Sequence, residues 1–335
     1  YTTLFRSRDL SHDSHRWLRH HLTYVSWDSY GADSYSIFSH FCLQCGTVTL
    51  MKQVIEVKGL RKFYGDLAAV NGVDLSVYQG EIFALLGPNG AGKSTTVEIL
   101  EGFRSRDGGD VKVLDTDPAI GGLSARQWRN RIGIVLQTSN DAGDLTVAES
   151  IKHFSHYYSN PRDVEEVIDG VGLREKQGAL VRTLSGGQRR RLDVALGIVG
   201  NPELLFLDEP TTGFDPKARR DFWSLIRTLK GEGRTILLTT HYLDEAEALA
   251  DRVAVINKGQ IIEVSTPTEL GGRATSLAQV SWREDGVVKV QKAPHPTAFV
   301  AELSTRFGGE VPELMVKRAT LEDIYLEMIG GEDEQ

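Results

Sequence analysis

The sequence is poor in cysteine and has no long apolar run. Two cysteines in 335 residues exclude a disulfide scaffold and fit a reducing compartment. No stretch approaches the roughly 18 consecutive apolar residues of a membrane-spanning helix, and no secretory cleavage pattern opens the chain. Basic residues are outnumbered, 38 Lys and Arg against 46 Asp and Glu, for a net charge of −8. This balance argues against binding nucleic acid through a basic face.

The remaining composition is that of a globular protein. Hydrophobic residues make up 40% of the chain and charged residues 25%, which is enough apolar material for a sizeable core. A length of 335 residues predicts two or three domains.

The first fifty residues differ in composition from the rest. Before Met51, the first methionine, they hold both cysteines and five of the nine histidines, but no lysine, glutamate or proline. The opening YTTLFRS resembles the translated end of a sequencing adapter. We therefore interpret 1–50 as a non-native or disordered leader, with a genuine N-terminal extension as the alternative. Cys42 and Cys45 lack the second close pair of ligands that zinc sites usually have, so we expect no metal there.

Beyond Met51, short apolar runs alternate with amphipathic segments. IFALL (82–86), LLFLD (204–208) and TILLTT (235–240) read as buried strands, and 217–230 reads as an amphipathic helix. Strands that alternate with helices predict a largely parallel sheet, covered by helices on both faces.

A glycine-rich segment joins the first of these strands to a predicted helix. GPNGAGKST matches the phosphate-loop pattern G-x-x-x-x-G-K-[ST] in the context that the pattern requires. Its glycines let the backbone approach phosphate oxygens, toward which the loop N–H groups point. Lys93 is predicted to reach the β- and γ-phosphates, and Ser94 to bind Mg²⁺. The predicted phosphate-binding residues are Gly87, Pro88, Asn89, Gly90, Ala91, Gly92, Lys93, Ser94 and Thr95.

The strand LLFLD delivers two carboxylates to the same edge of the sheet. Asp208 lies at its carboxyl end, where ligands bind in open α/β sheets, and is a candidate Mg²⁺ ligand. Glu209 follows it and is a candidate general base for a water molecule. Alone, an apolar strand that ends in Asp-Glu is weak evidence for these roles, but downstream of a phosphate loop it becomes strong evidence.

Between these motifs lies LSGGQ, at the start of a predicted helix. With this segment the chain resembles the ATP-binding cassette (ABC) family of transporter ATPases over roughly 53–270. The resemblance implies that LSGGQ contacts the γ-phosphate held by a second subunit, so that two chains pack head to tail around two ATP molecules. The residues assigned to this contact are Ser185, Gly186, Gly187 and Gln188.

Four further residues take roles from the same resemblance. Tyr64 corresponds to the aromatic residue that stacks on adenine, and Gln137 to the glutamine that senses Mg²⁺ and links the site to the membrane partner. Asp215 corresponds to an aspartate that reaches across the dimer, although Phe214 stands where leucine is usual. His241 corresponds to the histidine that contacts the γ-phosphate.

The resemblance implies a phosphate-loop NTPase (RecA-like) core with an antiparallel β subdomain and a helical subdomain over 51–270. A small α+β accessory domain is predicted over 271–335. The expected cofactors are ATP and Mg²⁺. The expected catalytic residues are Glu209, His241 and Lys93, and the expected metal ligands are Ser94, Gln137 and Asp208.

Near the C-terminus, TLEDIYLEMIGG resembles the ending of cassette ATPases from multidrug and antibiotic-resistance exporters, and EILEGFRSRDGGDVKVL, after the phosphate loop, resembles the same subgroup. This favours an exporter of drugs, lipids or similar hydrophobic compounds; an importer ATPase and a non-transport ABC ATPase are the alternatives. We expect a homodimer on the cytoplasmic face of the membrane, bound to a separate permease through 138–160. His153 and His156 in that segment fit an exposed helix better than a metal site.

Overall fold

The computed structural model of the chain describes residues 52–135 and 143–330. The predictions about the leader 1–50 and about Gln137 fall outside these ranges. Within them, no helix combines the length and apolar character needed to cross a bilayer.

Twelve strands and nine helices are defined in the described residues. The strands are β1 (Gln53–Tyr64), β2 (Leu67–Tyr78), β3 (Ile82–Leu86), β4 (Gly108–Val113), β5 (Ile132–Val135), β6 (Leu204–Asp208), β7 (Thr235–Thr240), β8 (Arg252–Asn257), β9 (Gln260–Ser265), β10 (Ala278–Glu284), β11 (Val287–Ala293) and β12 (Met315–Lys317). The helices are α1 (Lys93–Leu100), α2 (Gly122–Arg129), α3 (Val147–Ser155), α4 (Val164–Gly170), α5 (Gly186–Ile198), α6 (Pro216–Gly231), α7 (Leu243–Leu249), α8 (Pro296–Phe307) and α9 (Leu321–Gly330).

The central sheet has six strands in the order β5-β6-β7-β3-β8-β9. Strands β5, β6, β7, β3 and β8 are parallel, and β9 returns antiparallel to β8 through the turn at Lys258 and Gly259. Strands β3 and β7 are buried throughout, which explains their continuous apolar sequences. The carboxyl ends of β3, β6 and β7 therefore meet at one edge.

The two faces of this sheet are covered differently. One face packs on helices α3 to α7 and α9 in the larger core. The other packs on α1, on Trp128 of α2 and on the antiparallel sheet β2-β1-β4. Helices therefore lie on both faces, as expected, and on the second face the predicted antiparallel β subdomain supplies most of the cover. Alternating polar residues in β1 and β2 leave their other side exposed to solvent.

Helix starts follow the capping chemistry of the sequence. Thr146 and Glu149 form a capping box at α3, and Thr320 and Asp323 exchange equivalent bonds at the start of α9. Both pairs have the three-residue spacing that a capping box requires.

The C-terminal segment contains two different kinds of packing. Strands β11-β10-β12 form an antiparallel sheet that shares a small core with α8, including Val280, Trp282 and Leu303. Helix α9 instead buries Leu321 and Tyr325 in the main core. The boundary at 271 stays a prediction, because β10–α8 has its own core while α9 is continuous with the cassette.

Candidate active site

The loop between β3 and α1 is held closely by neighbouring strands. A Cβ atom on Gly87 would lie 2.3 Å from the Ile256 carbonyl oxygen. One on Gly92, whose φ is 101°, would lie 2.3 Å from the Ala69 carbonyl oxygen. These two glycines are therefore required by packing within the protein as well as by any ligand.

Lys93 lies inside this loop. Its side chain is 4% exposed, and Nζ donates to the carbonyl oxygens of Gly87 at 2.8 Å and Pro88 at 3.1 Å. Burial lowers the pKa of Lys93, an effect that the Glu209 carboxylate, 3.5 Å away, opposes. A buried cation with one carboxylate close by is suited to an anionic ligand.

The loop forms one wall of an open cleft, which we call the phosphate cleft. It brings together the end of β1, the phosphate loop and the residue after β6. Its lining residues are Tyr64, Leu67, Ala69, Asn89, Gly90, Gly92, Lys93, Ser94, Thr95 and Glu209. The structure thus places the predicted adenine, phosphate and general-base residues on one surface.

The carboxyl ends of β6 and β7 hold the acidic residues of the cleft. Thr239 donates its hydroxyl to Asp208 Oδ1 at 2.5 Å and accepts the Glu209 N–H at 3.0 Å. His241 Nδ1 lies 3.2 Å from Glu209 Oε2, which is within ion-pair range. Nδ1 is nevertheless buried without a hydrogen-bond partner among the described residues. Glu209 thus lies between Lys93 and His241.

The LSGGQ segment forms a second surface, the signature turn (Ser185–Gln188). Ser185 caps α5, its hydroxyl accepting the Gln188 N–H while Gln188 accepts the Ser185 N–H. Ser185 and Gly186 are exposed. A capping box leaves the other N–H groups of a first helical turn without intrahelical partners, and the helix dipole favours an anion there.

Asp215 caps the helix whose first turn packs beside the signature turn. It caps α6 by accepting the N–H groups of Lys217 and Ala218, both at 2.9 Å, and the bond from Ala218 is the largest cause of its lowered pKa. A Cβ on Gly187 would lie 3.7 Å from the Ala218 side chain. Phe214 packs edge-on against Phe222, with ring centroids 5.8 Å apart, so the core accommodates the larger side chain.

The predicted site residues therefore form two groups within one chain. The phosphate cleft contains neither the signature turn nor Asp215. Gln137 lies outside the described residues, so its predicted role stays a prediction.

Comparison with known proteins identifies the family. Residues 70–212 match the ABC transporter family model. The chain is 42% identical to the Nod factor export ATP-binding protein I of Ralstonia nicotianae over 307 residues, which is 83% of this chain and 94% of that protein. The chain belongs to the ABC transporter ATP-binding proteins. It is also 45% identical, over 65% of its length and 67% of the relative's, to the daunorubicin/doxorubicin resistance ATP-binding protein DrrA of Streptomyces peucetius.

Solved structures agree with this family. An ABC transporter cassette in its ADP conformation matches with a TM-score of 0.58 and 27% identity, over 65% of this chain and 92% of that one. The cbiO1 subunit of Clostridium perfringens, part of the transporter complex cbiONQ, matches with a TM-score of 0.60 and 28% identity, over 65% and 90%. The predicted fold class and the predicted ATPase activity are confirmed, and this ABC ATPase binds ATP.

Several residues around the site were missed by sequence reasoning. Thr239 lies in a largely apolar strand, and only its hydrogen bond to Asp208 in the folded chain marks it as part of the site. Arg104 lies 5.4 Å from the centre of the Tyr64 ring and bonds Glu98. Both links depend on contacts between distant segments. The charge of Arg104 beside an aromatic residue is visible only in the fold.

Glu101 was missed for a similar reason. It follows α1 and is buried, and its pKa is raised to about 8 by burial first and then by the nearby charges of Asp208 and Glu98. The sequence shows only an ordinary glutamate near the end of a helix.

Proposed function

We propose that this ABC ATPase drives export of a hydrophobic compound through a separate permease, as one of two identical subunits that close on ATP head to tail. The observation that carries the proposed catalysis is that Lys93 of the phosphate cleft and the neighbouring His241 both lie within 3.5 Å of Glu209. An importer ATPase is the alternative.

The catalytic roles follow from this geometry. Glu209 accepts a proton from the attacking water, a role typically worth about 10²–10⁴ in rate. Lys93 and His241 flank Glu209 and stabilise negative charge on the transferring phosphoryl group. The same imidazole lies beside the carboxylate, with 3.2 Å between His241 Nδ1 and Glu209 Oε2.

A magnesium site is supported by the donors present. Ser94 exposes a hydroxyl at the first turn of α1, and Asp208 presents a carboxylate fixed by Thr239. Oxygen donors of this kind suit Mg²⁺, which is usually held by one or two carboxylates together with substrate phosphates. We assign Ser94 and Asp208 as its ligands, with Gln137 as the third predicted one. Bound Mg²⁺ would neutralise charge on the ATP phosphates.

The dimer supplies the missing half of each site. The signature turn of one subunit, with Ser185, Gly186, Gly187 and Gln188, binds the nucleotide held in the phosphate cleft of the other. Asp215 lies beside this turn and reaches the same interface. Support comes from the exposure of the turn and from its separation from the cleft within one chain.

The permease contact is assigned to the segment 138–160. In its described part, His153, Phe154 and Tyr157 form an exposed cluster of edge-on rings at the end of α3, with His153 Nε2 3.0 Å from the Tyr157 hydroxyl. Exposed aromatic residues are enriched at protein interfaces. The contact would hold this ABC ATPase at the inner face of the membrane.

Export is favoured by the relatives. Their names refer to Nod factor export and to daunorubicin/doxorubicin resistance, and the first match extends over 83% of this chain. The hydrophobic class of the substrate comes from the resemblance of TLEDIYLEMIGG to multidrug exporters.

Turnover of Glu209→Gln tests the catalytic assignment. We expect kcat to fall about 10²–10⁴-fold while ATP still binds. Glu203→Gln is the matched control, because Glu203 precedes β6 as Glu209 follows it and is paired with Arg131 outside the cleft. Parent-like turnover of Glu209→Gln would remove Glu209 from the role of base.

The direction of transport needs the permease. In cells that express both chains, efflux of a fluorescent hydrophobic compound should exceed that of cells with the Glu209→Gln variant. Increased accumulation in the presence of the active chain would favour the importer.

A further inference from the structure

Helix α5 carries a buried arginine two residues beyond the signature turn. Arg190 is 6% exposed, and arginine is rarely buried without partners. Its Nε donates to the Pro210 carbonyl oxygen at 2.9 Å, and Nη2 donates to the Asp208 carbonyl oxygen at 3.0 Å. Asp193, one turn along the helix, lies 3.7 Å from Nη1 and balances the charge. The guanidinium thus joins α5 to the end of β6.

The two carbonyl groups bound by Arg190 belong to the residues on either side of Glu209. The Glu209 N–H is bonded to Thr239 Oγ1, and its carbonyl oxygen accepts the Thr212 N–H at 3.3 Å. Glu209 has a φ of 43°, in the left-handed region that non-glycine residues seldom occupy. Such a conformation persists where the surroundings over-determine it. Arg190 supplies two of the four bonds that hold this backbone.

We propose that Arg190 is a positioning residue that fixes the backbone of Glu209 and thereby aims the catalytic carboxylate. This inference rests on the proposed role of Glu209 as general base. The same helix begins with the signature turn, which serves the nucleotide of the other subunit. Arg190 therefore links the two composite sites: a shift of α5 on contact with one nucleotide reaches the base that acts on the other.

The chemistry of the link is specific to arginine. A planar guanidinium can donate to both carbonyl oxygens at once from fixed directions, whereas a lysine ammonium is a flexible point charge. Arg190→Lys should keep the charge and lose part of the geometry, and Arg190→Gln should lose both.

The first measurement compares three full-length variants for kcat, equilibrium ATP affinity and melting temperature. Arg190→Gln should lower kcat about tenfold or more, since a displacement of the catalytic carboxylate near 1 Å can cost that much. Its ATP affinity should stay within about twofold of the parent's, because Arg190 does not line the cleft. Arg190→Lys should fall between. Arg234→Gln is the control: Arg234 donates to the Pro202 carbonyl and Asn201 at the opposite end of β6. It should lower the melting temperature and leave kcat unchanged.

The second measurement asks whether Arg190 acts through Glu209. Single-turnover hydrolysis of radiolabelled ATP is compared in Glu209→Gln with and without Arg190→Gln. If Arg190 only aims Glu209, the second change should alter the residual rate by less than about twofold. If Arg190→Gln instead lowers the rate of the Glu209→Gln variant by as large a factor as it lowers that of the parent, Arg190 has a merely structural role and the inference is overturned.

The outcomes separate this inference from the proposed function. Unchanged kcat in Arg190→Gln, or in Arg190→Lys should the glutamine variant not fold, overturns the positioning role while Glu209 keeps its own. Parent-like turnover of Glu209→Gln instead overturns the proposed base, and the inference falls with it.

Discussion

The phosphate cleft and the signature turn show opposite ways of preparing a binding site. At the cleft, side chains from separate elements come together: Glu209 lies 3.5 Å from the buried Lys93 and 3.2 Å from His241. In the signature turn, Ser185 and Gln188 are satisfied by each other within one helical turn. The cleft is preorganised by the fold, whereas the turn is preorganised locally and presents an exposed helix start. This difference fits the proposal that one chain prepares the chemistry and a second brings its signature turn to the cleft.

The largest effect expected in this comparison is on ATP binding, when the buried cation of the cleft, Lys93, is removed. Lys93→Ala should weaken ATP binding about 10- to 100-fold, because a charge-assisted bond to phosphate is lost. Isothermal titration with ATP measures it, and Lys52→Ala is the control, since Lys52 pairs with Asp115 in an exposed position. Unaltered affinity in Lys93→Ala would contradict the assignment of the cleft.

A substitution in the signature turn should lower kcat, whereas ATP binding to a single chain should be unchanged. Ser185→Ala and Thr146→Ala each remove the cap of a capping box and should each cost about 1 kcal/mol of stability. Only Ser185→Ala should also lower kcat, about tenfold, because in the proposed dimer its hydroxyl faces the partner's nucleotide. Equal kcat in the two variants would show that the Ser185 hydroxyl serves only as a cap.

Residues at the rim of the phosphate cleft should contribute less to ATP affinity than Lys93 does. Arg104→Gln should weaken ATP binding about threefold, because the guanidinium beside the Tyr64 ring supports that ring by a cation–π contact. Arg106→Gln is the control, since Arg106 pairs with Asp117. Equilibrium binding of a fluorescent ATP analogue distinguishes the two, and equal losses would remove Arg104 from the adenine site.

The smallest effect concerns stability in the nucleotide-free chain. The folded pKa of Glu101 is about 8, above its ordinary value of 4.5. The folded state therefore holds this proton more tightly than the unfolded state, and stability falls as pH rises from about 4.5 to about 8. Glu101→Gln should remove this loss and gain about 2–4 °C over the parent between pH 5 and 8.5.

Thermal melts in EDTA check this pH dependence. Glu203→Gln should follow the parent over the same range, because Arg131 lowers rather than raises the pKa of Glu203. Parallel curves for Glu101→Gln and the parent would contradict the burial argument.

The sequence predicted the parts of the site that depend on local spacing. The phosphate loop, the strand that ends at Asp208 and the capped start of α5 are each contained in a few consecutive residues. The packing of β1, β2 and β4 on the second sheet face could not be predicted from local spacing, because the three strands come from separate segments and alternation alone does not say what an apolar face meets. Arg190 gave no signal, because three arginines in a row read as a solvated face until the fold buries one of them.

The central claim is that two copies complete each site, and ATP-driven association of Glu209→Gln tests it most directly. Sedimentation velocity should show a monomer without nucleotide and a dimer at saturating ATP, because the bridging γ-phosphate is not removed. Adding Ser185→Arg, which places a bulky cation on the signature turn, should keep the chain monomeric with ATP bound. A Glu209→Gln chain that stays monomeric at saturating ATP, or a dimer that survives Ser185→Arg, would contradict the account.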